Sequence, residues 1–311
     1  MTKKKGAAVL LITYRRFDTT QKVFEAIRIA KPVKLYFASN AARSDKPDEV
    51  EKVEAVRSLL KLIDWPCEVY TLFRTDHLSA KHSISSAIDW FFQHEEQGII
   101  LEDDCLPHPS FFLFCDELLE RYRDDQRVGM ISGDNFQFGY RLNDDSYYFS
   151  NYSHVWGWAS WRTRWQSDYD VEMKYWPTIR DERRLNDWFG SKIEQDFFTN
   201  FFEKTYQGEL DTWDYQWNFC NRLKGRIAVM PNVNLVSNIG FGSEATHTKD
   251  VSVLANMSVE EMIFPLKHPV GIFTSATLDS LFHRRFEQQI IIQQQKIIHR
   301  VKSKIKKILG R

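Results

Sequence analysis

Three consecutive acids, Glu102-Asp103-Asp104, directly follow the apolar run Ile99-Ile100-Leu101. Adjacent carboxylates repel one another, and holding one at the mouth of a buried strand costs desolvation unless a cation or a hydrogen-bonded ligand offsets it. Oxygen ligands at a strand end suit Mg²⁺ or Mn²⁺, and such ions usually bridge to substrate phosphates. The motif therefore predicts a divalent cation site, with a solvated acidic turn as the alternative.

The segments on either side of these acids alternate between strand-like and helix-like patterns. We predict strands at Ala7–Thr13, Val33–Ala38, Glu68–Leu72, Gly98–Leu101 and Val128–Ser132, and helices from Thr19 or Thr20 to Ala30, at Pro47–Ile63, at Ser79–His94 and at Pro109–Tyr122. This alternation predicts an α/β fold with a doubly wound, mainly parallel sheet. The crevice of such a sheet lies beyond the carboxyl ends of its strands, where the three acids would stand.

The composition indicates a globular enzyme-sized chain, with 43% hydrophobic and 14% aromatic residues among 311. The sequence contains neither GxGxxG nor GxxxxGK[ST], so dinucleotide-binding and P-loop folds have no support. The four cysteines lack metal-ligand spacing and are expected to be reduced thiols. No signal peptide or membrane-spanning pattern is recognisable, so we expect a cytoplasmic protein.

After Gly133 the pattern changes to segments rich in Asn, Tyr and Trp. Asp211 or Thr212 could cap a helix that ends near Lys224-Gly225, which places Asp214 in its first turn. A strand, Arg226–Met230, and a loop, Asn232–Thr248, are predicted to follow. The cluster from Trp156 to Trp161 could stack on a sugar ring through Trp158, and packing in the core is the alternative.

These pieces together resemble a known family. The sequence is similar to bacterial relatives of the GT-A fold glycosyltransferases, most closely those similar to N-acetylglucosaminyltransferase I. The matching residues are Thr13-Tyr14-Arg15, Ile99 to Asp104 with Pro109 and Phe111-Phe112, Gly157-Trp158, Trp213-Asp214, and the loop from Asn238 to Thr248. The resemblance implies a GT-A type sheet with a smaller acceptor-side subregion, a nucleotide-sugar donor, Mn²⁺ or Mg²⁺, and inversion at the anomeric carbon.

The resemblance also implies roles for single residues. Asp104 would bind the metal, Asp103 would contact the ribose and Glu102 would face the donor sugar. Arg15 would lie near the nucleotide or its phosphates, and Asp214 would be the catalytic base.

Further substrate-side residues follow from the same resemblance. Trp213, beside the base, would contact substrate, and His82 or the neighbouring Lys81 could reach the nucleobase. Bacterial relatives tend to have an Asp-Gly-Pro-Arg turn where this chain has Asn40, whose amide oxygen can still accept a hydrogen bond from uracil. His247 lies in a Gly-rich stretch that could close over donor phosphates, with metal binding as a further role.

The favoured function is therefore an inverting, metal-dependent glycosyltransferase that uses a UDP-sugar to build a bacterial surface glycan or a lipid-linked acceptor. An inverting reaction needs its base on the face opposite the leaving group, so a carboxylate distant in sequence from the metal acid is expected. Asp214 fits this requirement, with Asp211 and Glu209 as rivals. A sugar nucleotidyltransferase and a non-catalytic glycan- or nucleotide-binding module are the alternatives.

We predict a nucleotide-sugar half at 1–133, an acceptor and base half at 134–265, and a linker with a basic amphipathic tail at 266–311. From Phe282 to Arg311 the chain has nine Lys or Arg and one acid, while the whole chain has a formal net charge of zero. The apolar residues of this tail recur at helical spacing, which favours a helix lying on an anionic membrane surface. A partner helix or a solvated tail are the alternatives, and no nucleic-acid partner is expected.

Overall fold

An eight-stranded sheet forms the centre of the chain, whose computed structural model describes residues 6–241 and 254–285. Its strands are β1 (Ala8–Thr13), β2 (Lys34–Ser39), β3 (Glu68–Phe73), β4 (Gln97–Glu102), β6 (Val128–Ser132), β7 (Tyr147–Ser150), β8 (Trp158–Trp161) and β9 (Ile227–Pro231). Their order is β3-β2-β1-β4-β8-β6-β9-β7, in which only β8 and β7 run antiparallel to their neighbours. The predicted α/β fold with a mainly parallel sheet is confirmed.

Helices cover both faces of this sheet. They are α1 (Phe17–Ala30), α2 (Asp48–Ser58) with a 3₁₀ turn at Leu59–Leu62, α3 (Ala80–His94), α4 (Ser110–Arg121), α5 (Arg162–Asp168), α6 (Trp176–Asp181), α7 (Leu185–Trp188), α8 (Lys192–Tyr206), α9 (Asp214–Leu223) and α10 (276–285). Alternate residues of β1 face opposite sides: Val9 and Leu11 pack with α1 and α4, while Leu10 and Ile12 join a core with α3 and the tryptophans. Burial on both faces explains the unbroken apolar run that the sequence shows for β1.

Four short strands were absent from the sequence prediction. β7 and β8 come from the aromatic-rich segment after Gly133, and β8 lies between β4 and β6. A second, two-stranded sheet pairs β5 (Cys105–Pro107) with β10 (Val236–Asn238), within the segment predicted as a loop. These strands have three or four residues each and are largely buried, so they carry no alternation that could mark them.

The described residues at the C-terminal end pack against the rest of the fold. Asp279 in α10 accepts hydrogen bonds from Ser150 Oγ at 2.6 Å and from the backbone of Asn151 at 3.0 Å. Phe282 packs against Phe136 and Tyr152. The predicted amphipathic tail from 286 onward lies outside the described residues, and no helix within them is long and apolar enough to cross a membrane.

Candidate active site

A cleft of about 740 Å³ opens where β1, β2 and β4 end, as expected for the carboxyl edge of an open α/β sheet. Its volume is typical of a small-molecule site. One wall is formed by residues after β1, β2 and β4 and by the start of α3, which Leu78 joins to Asn40, and the other by the segment that leads into α9. Both walls carry carboxylates, which are Glu102, Asp103 and Asp104 on the first and Asp211 and Asp214 on the second.

The three predicted acids stand at the end of β4, beside the end of β1. The two strands are parallel, with Ile12 opposite Glu102. Asp103 is buried, and the backbone N–H of Tyr14 donates to its Oδ2 at 3.3 Å. The strand pairing thus fixes the acids against the segment that follows β1.

Arg16 neutralises two of these acids. Its Nη2 donates to Asp103 Oδ1 and, at 2.8 Å, to Asp104 Oδ2. Burial acts to lower the pKa of Arg16, but the negative charges of Asp103 and Asp104 outweigh it and raise that pKa above its ordinary value. The guanidinium is therefore a permanent cation held between two carboxylates.

The remaining acid, Glu102, has a pKa raised to about 8, first by burial and then by the negative charges of Asp104, Asp103 and Asp214. Burial also raises the pKa of Asp103, while Arg16 opposes this. Burial and these neighbouring charges therefore favour the protonated form of Glu102 over the carboxylate. A proton on a carboxyl group gives it a hydrogen-bond donor for a ligand.

The donor set at Asp103 and Asp104 fits a divalent cation. The Arg16 guanidinium is a stand-in that shows a positive charge stabilised at this position. Mg²⁺ and Mn²⁺ take oxygen ligands, commonly one or two carboxylates completed by substrate phosphates and water. Among the residues described, no group of three or more His, Cys, Asp or Glu side chains is arranged to hold a metal, so such an ion would need ligands from the substrate.

Gly240 closes the cation position from the other side. A Cβ at this glycine would lie 2.0 Å from Asp104 Oδ2 and 2.8 Å from an Arg16 nitrogen. The backbone N–H of the preceding Ile239 donates to the Asp104 carbonyl oxygen at 2.8 Å. Only a residue without a side chain allows this close approach.

Arg15 lines the cleft but pairs away from the acids. Its Nη1 lies 2.5 Å from Glu49 Oε1, and Arg43 and the Tyr14 hydroxyl also donate to the buried Glu49 carboxylate. These hydrogen bonds, with that from Arg43 the strongest contribution, lower the pKa of Glu49 to about 2. Glu49 thus holds two arginines at the rim of the cleft.

The two residues predicted to contact the nucleobase, Asn40 and His82, lie in different places. Asn40 lines the cleft, but its Oδ1 accepts from the backbone N–H groups of Ala41 and Leu78 and its Nδ2 donates to the Leu78 carbonyl. Both lone pairs of the amide oxygen are therefore in use. His82 is exposed in the first turn of α3 and is not part of the cleft lining, whereas His77 is, with its ring 5.2 Å from that of Tyr14.

On the opposite wall, Asp214 is the first residue of α9, in the first turn as predicted. The Thr212 hydroxyl donates to its Oδ1, and the buried Trp213 before it stacks on Trp158 with ring centroids 5.7 Å apart. The expected side-chain cap at Asp211 is not made to this helix. The helix ends at Leu223, and Gly225 has the positive φ of 64° that the predicted glycine cap requires.

The rivals of Asp214 for the base role stand elsewhere. Both carboxylate oxygens of Asp211 accept from backbone N–H groups of α3. Glu209 is exposed and lines a separate surface groove together with Arg180 and Lys204. Asp214 is therefore the acid on this wall whose charge reaches Glu102.

Trp158 lies in the core and not on the cleft wall. It is 1% exposed and packs against Trp165, Trp213 and Trp217. Its ring is not available to a sugar, which favours the core-packing alternative. The cleft instead presents Trp156, whose ring packs against Phe241 and whose backbone N–H donates to Asp134.

Sequence reasoning did not find the contributions of Arg16 and His77. Arg15 and Arg16 are adjacent and identical in type, so their order alone does not show which one faces the acids. His77 lies in a loop between β3 and α3 that carries no recognisable motif. The predicted His247 lies outside the described residues.

Comparison with known proteins gives matches only among solved structures; no protein-family model and no curated protein matches the chain. The glycosyltransferase GlyE of Streptococcus pneumoniae TIGR4 is 11% identical, with a TM-score of 0.32 over 71% of this chain and 63% of that chain. Mouse xyloside xylosyltransferase 1 is 12% identical, with a TM-score of 0.33, and the match covers 70% of this chain and 81% of that chain. UDP-glucose pyrophosphorylase complexed with UDP-glucose is 13% identical, with a TM-score of 0.29 over 48% and 64%.

Proposed function

We propose that the chain is an inverting, metal-dependent glycosyltransferase of the GT-A type, which moves a hexosyl or N-acetylhexosaminyl group from a nucleotide-diphospho-sugar, with UDP favoured, to a glycan or lipid-linked acceptor. The observation that carries this proposal is the placement of two separate acidic groups on opposite walls of one cleft. One is the Asp103–Asp104 pair, which binds the Arg16 guanidinium, and the other is Asp214. Sugar transfer needs both: neutralisation of a departing diphosphate and a base for the acceptor hydroxyl.

The proposed roles follow the contacts of each residue. Asp104 would hold Mn²⁺ or Mg²⁺, which when bound supplies Lewis-acid stabilisation of the diphosphate. Asp103 is fixed by the Tyr14 N–H and would contact the ribose. Glu102 would face the donor sugar, where a protonated carboxyl group can donate a hydrogen bond to a hydroxyl of the sugar.

Asp214 acts as the base on the other wall. The acceptor oxygen forms a bond to the anomeric carbon as the bond between that carbon and the diphosphate oxygen breaks with its electron pair. The acceptor proton passes to the Asp214 carboxylate. Attack on the face opposite the leaving group gives inversion.

Two alternatives are weaker. A sugar nucleotidyltransferase would need main-chain donors for a nucleoside triphosphate, whereas the segment after β1 is Tyr14-Arg15-Arg16, without glycine. Release of pyrophosphate in an assay would identify that activity. A non-catalytic binding module is favoured by Asn40, which stands where bacterial relatives tend to have an aspartate, and tight nucleotide binding with neither hydrolysis nor transfer would identify it.

A thermal-shift screen tests the proposal. The purified chain is melted with UDP-, GDP-, CMP- and dTDP-sugars, each with Mn²⁺ or with EDTA. Ligand at a hundred times its dissociation constant stabilises the native state by about 2.7 kcal/mol. We expect a rise in melting temperature that depends on metal and on one nucleotide class, and no rise with any donor would contradict the proposal.

The variant Asp104→Asn localises the effect. It removes a carboxylate from the cation position, so the metal-dependent part of the shift should disappear. Asp144→Asn is the matched control, because that aspartate is almost fully exposed on the surface. Retention of metal-dependent binding and transfer by Asp104→Asn would show that the metal is held elsewhere.

For the basic tail, the proposal is peripheral binding to the inner face of the plasma membrane. Its support is the charge and apolar spacing of the sequence alone. A deletion should begin after Arg285, because Phe282 packs into the fold. Movement from the membrane to the soluble fraction is expected, with donor binding unchanged; unaltered fractionation would reject the anchor.

A further inference from the structure

We infer that Asp211 is a positioning residue that ties the N-terminus of α3 to the segment carrying Asp214, and so sets the separation of the two cleft walls. This inference rests on the proposed function only where it names Asp214 as the base. The bridge itself is a structural observation, made between residues 131 positions apart in the chain.

The first end of the bridge is the start of α3. The backbone N–H of Ala80 donates to Asp211 Oδ2 and that of Lys81 donates to Oδ1, both at 2.8 Å. The first N–H groups of a helix have no partner within the helix, and the positive end of the helix dipole favours a carboxylate there. The local cap, Ser79, reaches only the N–H of His82, at 3.5 Å. Asp211 therefore supplies most of the capping of this helix from the opposite wall.

The second end of the bridge is anchored in the core. Trp213 is buried against Trp158, and its carbonyl oxygen accepts from the Tyr169 hydroxyl at 3.3 Å. Between these anchors the Thr212 hydroxyl holds Asp214, and the Thr212 carbonyl accepts from Gln216 at 2.7 Å. The segment from Asp211 to Asp214 is thus held to α3 by Asp211 and to the aromatic core by Trp213, while Thr212 orients the Asp214 carboxylate.

The two ends face the same space. Ala80, Ser83 and Ile84 of α3 line the cleft together with Thr212 and Asp214. Because Asp211 binds main-chain groups of α3, a movement of this helix moves the segment that presents Asp214. A misplacement of about 1 Å in a reacting group can cost on the order of a hundredfold in rate. Loss of the bridge should therefore lower kcat more than it changes donor binding.

The experiment compares Asp211→Ala and Asp211→Asn with the full chain. The alanine removes both acceptors, while the asparagine keeps one acceptor oxygen in nearly the same volume. We expect kcat to fall by about 10- to 100-fold for alanine and by less for asparagine, with donor KM within about twofold and an unchanged pH profile. Glu172→Ala is the matched control: it removes an exposed ion pair to the Lys81 side chain in the same helical turn without touching the main-chain bonds.

Hydrogen exchange gives a readout that needs no turnover. In peptides covering residues 78–86, the amides of Ala80 and Lys81 should exchange faster in Asp211→Ala than in the wild type or in Glu172→Ala. Unchanged exchange would overturn the bridge even if the enzyme is active. Equal loss of activity in both Asp211 variants, together with loss of the acidic limb of the pH profile, would make Asp211 the base and overturn the positioning role.

The two proposals fail in distinguishable ways. If no sugar donor is turned over, the proposed function fails, while the exchange of the α3 amides still decides whether Asp211 fastens the two walls. If transfer is observed and both kcat and amide exchange stay at wild-type values in Asp211→Ala, only the positioning role fails.

Discussion

The two walls of the cleft are built by different means. On the wall proposed to bind the donor, the acids stand at the ends of central parallel strands. Asp103 and Asp104 pair with Arg16, and Glu49 pairs with Arg15 and Arg43. On the acceptor side, Asp214 opens a helix that rests on an aromatic core and is held by a single hydroxyl. Charge is fixed by the sheet on one wall, and by packing on the other.

This difference separates two physical demands. A site for a diphosphate and its cation needs high charge density, which a protein stabilises by rigid ion pairs and main-chain hydrogen bonds. A base needs an unprotonated carboxylate that meets a hydroxyl in one orientation, which packing and a neighbouring hydrogen bond can provide. Substitutions on the two walls should therefore have different effects. Those on the Asp214 wall should lower the rate, and those on the wall with Asp103 and Asp104 should change stability or cation binding.

The largest expected effect is on the acceptor wall. Asp214→Asn removes the proposed base, so kcat should fall by about 10² to 10⁴-fold while the donor-dependent thermal shift is unchanged. Steady-state kinetics with the donor class found in the screen would measure it. Glu209→Gln is the control, since that acid lies outside the cleft and should keep wild-type rates. An active Asp214→Asn variant and an inactive Glu209→Gln variant would show that Glu209, and not Asp214, is the base.

The next effect is on the donor wall. Arg16→Gln leaves Asp103 and Asp104 without a positive partner, which should lower the free energy of unfolding by about 3 kcal/mol in EDTA. Because the guanidinium competes for the same oxygens, Mn²⁺ should bind the variant more tightly and restore part of the loss. Denaturant melts and calorimetric titration with Mn²⁺ measure the two quantities.

Arg15→Gln is the matched control for this measurement. Its partner Glu49 keeps Arg43, so the loss of stability should be smaller and Mn²⁺ affinity should not change. Weaker Mn²⁺ binding by Arg16→Gln than by the wild type would mean that Arg16 supports the cation site and does not compete with it.

The last effect concerns Glu102 and appears only as pH is changed. Its pKa is raised from 4.5 to about 8, so between these values the native state holds a proton that the unfolded state lacks, and this group makes stability fall as pH rises through that window. Glu102→Gln removes the dependence. Its stability relative to the wild type should grow between pH 5 and 8.5 in EDTA, by on the order of a few kcal/mol.

Denaturant melts at three pH values would check this, with Glu96→Gln, an exposed acid just before β4, as the control. That control should show the same pH slope as the wild type. An equal slope for Glu102→Gln would mean that Glu102 is already ionised in the native cleft.

The same contrast explains what could be predicted from the sequence. The first half of the chain follows from periodicity, because its buried strands and the helices between them leave clear patterns. The acids at the end of β4 follow from an apolar run that meets charged residues. The acceptor side depends on four-residue strands and on helices α5 to α8, which were not predicted. Two contacts depend on tertiary geometry that local sequence patterns do not encode. One is the hydrogen bonding of Asp211 to the start of α3, and the other is the pairing of Arg16, and not Arg15, with Asp103 and Asp104.

The position of β8 has a consequence for how the chain can be divided. β8 supplies the hydrogen bonds between β4 and β6, although it follows both in sequence. A fragment ending at residue 133 would contain β4 and β6 but not the strand that joins them, and would expose two apolar strand edges to other chains. Because one sheet carries both walls of the cleft, we expect the two walls to unfold together as one cooperative unit.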